Sequence, residues 1–126
     1  MISNEIKKVR EFFRAFKIPF NIEPTNIPED RYQLRYDLAK EELDEYLTAC
    51  KENNVTEIAD ALGDQLYILY GSILEHGLQY KINEVFNEIQ RSNMSKLDEN
   101  GLPIFREDGK ILKGKNYFKP DFSKIL

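Results

Sequence analysis

Cysteine and histidine are nearly missing from this sequence. The chain has 126 residues and one of each, Cys50 and His76. A single cysteine excludes an internal disulfide and a cysteine-rich zinc site, and a single histidine excludes a His-rich metal site. No apolar run approaches membrane-spanning length. The N-terminal residues lack the basic-then-apolar pattern of a signal peptide, so the expected compartment is the cytoplasm, with no membrane partner. A basic excess is missing too, since the formal net charge is −4. General nucleic-acid binding needs a cationic footprint to release counterions, so no nucleic-acid partner is expected. A nucleotide enzyme stays open, because a bound metal inverts the sign of an acidic site.

What is present reads as helix. The length suits one domain over residues 1–126, with a helical core at about 4–94 and a tail at 95–126. Ile6, Val9, Phe13 and Phe16 recur at helical spacing within residues 4–17. Pro19, Pro24 and Pro28 make 18–30 a loop, since proline removes a donor and restricts the residue before it. A second helix is expected from about Asp30, as N-cap, to Asn53, and a third from a Thr56 cap to Glu75 or His76. Gly77 is the expected C′ residue. A fourth helix spans about 81–94, with Ile82, Val85, Phe86 and Ile89 on one face. Beyond it, Asn100-Gly101 and Asp108-Gly109 are turn signals, and the apolar runs beside the second suggest a short hairpin. The predicted fold is therefore an all-α, antiparallel four-helix bundle with an irregular or hairpin tail. Gly63 and Gly71 are expected to allow close helix packing, and Cys50 to be a buried thiol. His76 is expected near a helix end, where a cation suits the dipole.

The acids carry the chemistry. The second helix holds Glu41-Glu42-Leu43-Asp44-Glu45, and the third holds Glu57-Ile58-Ala59-Asp60 with Asp64 one turn on. At one hundred degrees per residue, Glu42 and Glu45 share a narrow face with Leu38 and Ala49. Glu57, Asp60 and Asp64 share a face with Ala61 and Ile68. A short connection makes the two helices antiparallel neighbours, so these faces can meet. Two carboxylates about 5 Å apart repel by roughly 3 kcal/mol at an effective dielectric of 20. A small domain is stable by only about 5–15 kcal/mol, so a converging set calls for a cation among them. A hard, oxygen-seeking ion such as Mg²⁺ suits carboxylates without histidine. Arg35, two turns before Glu42, also offers positive charge. A solvated acidic face is the alternative. A di-iron bundle is disfavoured, because it wants Glu-x-x-His pairs that this chain lacks.

These residues resemble the all-α nucleoside triphosphate pyrophosphohydrolase superfamily, which includes MazG-type enzymes and phosphoribosyl-ATP pyrophosphohydrolases. Its mark is E-E-x-x-E followed by E-x-x-D, here Glu41 to Glu45 and Glu57 to Asp60. The residues from Arg35 to Lys40 and from Ala61 to Tyr67 are similar as well. So is the tail, through Asn93-Met94-Ser95-Lys96 and Lys115-Asn116-Tyr117. The resemblance implies a homodimer or homotetramer with a core built between subunits. It implies Mg²⁺, with Mn²⁺ as a substitute, on Glu42, Glu45, Glu57 and Asp60. It leaves Glu41 and Asp64 as adjacent acids that take a proton from water or hold a second metal. It implies hydrolysis of a nucleoside triphosphate to monophosphate and pyrophosphate. Arg35, Asn93, Lys96, Lys113, Lys115 and Tyr117 are the expected phosphate-binding groups. Phe12, Phe13 and Phe16 could stack a base, although their spacing fits core better. A non-enzymatic adaptor of the same fold, and an enzyme acting on phosphoribosyl-ATP, are the competing readings.

Overall fold

A computed structural model describes all 126 residues, Met1–Leu126. The chain is all-α, with α1 at Asn4–Ala15, α2 at Glu29–Lys51, α3 at Val55–Glu75 and α4 at Ile82–Met94. It divides into two compact units, Met1–Tyr80 and Lys81–Leu126.

In the first unit α3 packs against both α1 and α2. Ser3 starts α1, its hydroxyl accepting from the Ile6 N–H at 3.2 Å. The helical stripe Ile6, Val9 and Phe13 is buried, while Phe16 is 67% exposed just past the helix end. Asp30 is not the cap of α2. The helix begins one residue before it, and Glu29 and Asp30 both lie in the first turn, where negative charge suits the helix dipole. Thr56 does not cap α3 either. Asn54 does, accepting from the Glu57 N–H at 3.1 Å, while Asn53 makes the turn at φ +53°. Asn54 holds the position just before the first helical residue, whereas Thr56 is already inside the helix.

The proline-bearing loop folds over the C-terminal end of α3. The Asn21 N–H donates to the Leu74 carbonyl at 3.1 Å, and the Thr25 N–H to the His76 carbonyl at 2.9 Å. Gly77 is the C′ residue, at φ +69°, and a Cβ there would stand 2.0 Å from the Glu23 carbonyl oxygen. The loop can therefore sit close only against glycine. His76 donates through Nδ1 to the Thr25 carbonyl at 2.9 Å, so it is part of this seam.

One buried carboxylate ties α2 to α3. Glu75 is 1% exposed. Arg31 grips it with two hydrogen bonds, at 2.9 and 2.7 Å, and Arg35 approaches to 3.4 Å. Arg35 also donates to the Ser72 hydroxyl and the Ile68 carbonyl. Gly71 makes room for this, because a Cβ would meet Arg35 Nη2 at 2.5 Å and Phe13 Cζ at 2.9 Å. The packing expectation therefore holds for Gly71. It fails for Gly63, which faces open space. It fails for Cys50 too, which is exposed, because the buried position on that turn is its neighbour Ala49.

The second unit is α4 and the tail. No strand forms. The expected hairpin is a single antiparallel bridge between Phe105 and Ile111, closed by Asp108-Gly109 with Gly109 at φ +88°. The last stretch of tail is strapped along α4. Ser92 Oγ donates to the Phe118 carbonyl at 2.8 Å, and the Asp121 N–H donates to Glu88 at 2.7 Å.

Candidate metal centre

Glu42 and Glu45 project from α2 one turn apart, and Asp64 from α3. One carboxylate oxygen from each lies within 4.8 Å of the others. Glu42 is half-buried, and its Oε2 is sealed from solvent with no hydrogen-bond partner. Its carboxyl is pushed up to about 7, first by burial, then by a hydrogen bond shared with Glu45, then by the charges of Asp64, Glu45 and Asp60. Burial and neighbouring negative charge both disfavour the ionised form of this group. No lysine or arginine ion pair reaches these acids. Arg31 and Arg35, the arginines buried nearest in sequence, are engaged by Glu75 instead.

Beside this group lies a cleft of about 460 Å³, lined by Asp44, Glu45, Thr48, Ala49, Glu52, Glu57 and Asp60. Glu45 belongs to both groups. The four acids expected as ligands are thus divided: Glu42 and Glu45 stand with Asp64, while Glu57 and Asp60 face the cleft that Glu45 borders. Glu41 is exposed and belongs to neither. Glu52 and Thr48 went unnoticed in the sequence. Their signal was present, since Glu52 falls two turns after Glu45 and Thr48 between them.

The donor set fits a hard divalent ion. It is all oxygen, it carries excess negative charge, and it holds one orphaned carboxylate oxygen.

The other expected site residues fall elsewhere. Arg35 has its donors occupied in the Glu75 network of the first unit. Asn93, Lys96, Lys113, Lys115 and Tyr117 all lie in the second unit. There the Gly114 N–H donates to the Lys96 carbonyl at 2.8 Å, which brings the chain at Lys113 and Lys115 against Lys96. Lys113 rests over the Tyr117 ring, 4.9 Å from its centroid. Of the three phenylalanines, Phe13 is core. Phe12 stays partly exposed between Phe16, at 4.4 Å, and Tyr67, at 5.6 Å.

No helix is long and apolar enough to cross a membrane. Residues 9–93 match the model of the phosphoribosyl-ATP pyrophosphohydrolase family. The chain is also 36% identical, over 121 residues, to an uncharacterized protein of Acanthamoeba polyphaga mimivirus. That alignment covers 93% of this chain and 44% of the viral protein, so the chain spans less than half the length of this relative. The match and the paired acidic helices agree: the chain belongs to the phosphoribosyl-ATP pyrophosphohydrolase family.

Proposed function

We propose that this chain hydrolyses the α–β phosphoanhydride bond of a nucleoside triphosphate, releasing nucleoside monophosphate and pyrophosphate. The observation that carries this reading is the three-acid group Glu42, Glu45 and Asp64, with its sealed, unpartnered Glu42 Oε2 and no lysine or arginine paired to it. Bare, that group is costly. With a divalent cation it is a phosphate-binding site.

The proposed ion is Mg²⁺, with Mn²⁺ as substitute, held by Glu42 and Glu45 and by Glu57 and Asp60 across the adjoining cleft. When bound, it neutralises triphosphate oxygens and lowers the pKa of a water molecule. The protein's own groups do the rest. Asp64 belongs to the same three-acid group, which supports it as the proposed acceptor of a proton from water. Glu41 is exposed and is the weaker candidate for that role. Lys96, Lys113, Lys115 and Tyr117 are proposed to bind phosphate oxygens, with Asn93 as a polar partner. Arg35, expected at the substrate, also links α2 to α3 through the Ser72 hydroxyl and the Ile68 carbonyl.

The active form is proposed to be a homodimer or homotetramer. Leu34, Leu43 and Leu47 on α2, and Leu62, Leu66 and Leu69 on α3, are each between 41% and 56% exposed. Several of them, with Ala39 and Ile68, line an apolar cleft of about 620 Å³. Contiguous apolar surface of that kind marks an association site. Light scattering that finds a monomer at all concentrations would overturn this assignment.

The activity is tested by pyrophosphate release from a panel of nucleoside triphosphates and phosphoribosyl-ATP, with magnesium and with chelator. Metal-dependent release from a triphosphate is the expected result. Release from phosphoribosyl-ATP alone would replace the substrate and keep the chemistry. Release from none, with the protein folded, would favour an adaptor.

A further inference from the structure

Gly114 lies between two of the tail lysines, and its surroundings leave no space for a side chain. Its N–H donates to the Lys96 carbonyl at 2.8 Å, and its carbonyl accepts from the Tyr117 N–H at 3.3 Å. A Cβ here would stand 2.4 Å from the Leu97 carbonyl oxygen and 2.8 Å from that of Lys96. Both obstacles are backbone, so neither can swing aside. The tail therefore crosses Lys96 at a separation that only glycine permits, with one lysine on each side of the crossing.

The loop is also held from its far end. The Arg91 guanidinium lies over the Phe118 ring at 4.3 Å, and the Phe118 N–H donates to Ser95 Oγ at 3.2 Å. Within this frame the lysines keep their charge available. Lys113 rests on the Tyr117 ring and pairs with no acid. Lys115 meets Glu99 at 3.8 Å, with the two side chains 77% and 67% exposed, a contact that water and salt weaken. Lys113 and Lys115 flank the residue that bonds the Lys96 carbonyl, and a polyanion is the ligand that several ammonium donors on one stretch of backbone suit.

We propose that Gly114 is a positioning residue: by packing flat on the Lys96 and Leu97 carbonyls it holds Lys96, Lys113 and Lys115 as one cradle for a di- or triphosphate group. The ligand class rests on reading the chain as a pyrophosphohydrolase, but the cradle itself lies wholly within the second unit.

The test is calorimetric titration of the full chain with inorganic pyrophosphate, in chelator and at low salt. The wild type binds, and more weakly as salt rises. Gly114→Ala weakens binding about tenfold, roughly one charge-assisted contact, with an unchanged helical spectrum. The double variant Lys113→Ala with Lys115→Ala keeps the glycine contact and weakens binding at least as much, so it decides the matter if Gly114→Ala does not fold. In turnover, Gly114→Ala raises KM and leaves kcat nearly constant. A merely structural glycine would instead lower the amount of active enzyme at constant KM. No pyrophosphate binding by the wild type, or binding unmoved in either folded variant, overturns the proposal. Failure of the hydrolysis reading looks different: no triphosphate is turned over, yet pyrophosphate binding keeps the same ranking among variants.

Discussion

The two units of this chain solve the same electrostatic problem with opposite sign. The first carries nine lysines and arginines against fifteen acids, and the second nine against seven. The first commits two arginines to one buried acid, Glu75, which leaves Glu42, Glu45, Asp60 and Asp64 without a cation. The second commits acids to local turns and the strap: Asp98 and Asp108 hold backbone N–H groups, and Glu88 takes Arg91 and the Asp121 N–H. That leaves Lys96 and Lys113 unpaired and Lys115 loosely paired. Each surplus is the remainder after the structural pairs within its own unit are formed.

The comparison is broken hardest at Glu75. Glu75→Ala leaves Arg31 and Arg35 without their acceptor in the interior, and should cost the first unit roughly 3–5 kcal/mol. Urea unfolding measures it. Glu88→Ala, at the rim of the second unit, should shift the same curve far less. Equal losses would mean that the buried pair is not what holds α2 to α3.

A smaller effect on folding and a large one on activity is expected at the acids. Glu45→Gln or Asp60→Asn should leave the chain folded and lower metal-dependent kcat on the order of a thousandfold, because the metal contributes several kcal/mol to the transition state. The same changes should abolish the rise in melting temperature that magnesium produces by mass action. A rise that survives both substitutions removes these residues from the site.

The smallest and most diagnostic effect is in pH. Glu42 titrates at about 7 in the fold against an ordinary 4.5. A carboxyl raised in this way favours the protonated native state. Without metal, its contribution to stability is therefore greatest below the ordinary value and is lost as pH rises through 7. Metal requires the deprotonated form, so the magnesium-induced rise in melting temperature should grow across that window, with proton release. Melting curves at about pH 5 and about pH 8, with and without magnesium, test the sign. A magnesium effect that is larger at the acid end would exclude Glu42 from metal binding.

Much of the fold was legible because its signals are local. The 3.6-residue period of Ile6, Val9 and Phe13, the prolines of the loop and the Gly77 terminus each act within a turn or two of chain. The caps of α2 and α3 were missed by one or two residues, because several capping side chains compete there and backbone geometry chooses among them. Cys50 and Gly63 were misread for a related reason. A helical wheel gives faces, but it does not say which face another element covers.

The sequence by itself determined the helices, the acid-rich faces of α2 and α3, and the family to which those faces belong. Only the tertiary structure decided how the charges are divided. It set Arg35 beside Glu75, grouped Asp64 rather than Glu57 with Glu42 and Glu45, and brought the chain at Lys113 and Lys115 against Lys96 across Gly114. Pairing between residues far apart in the chain depends on distances that no local periodicity encodes, and electrostatic energy depends on those distances directly.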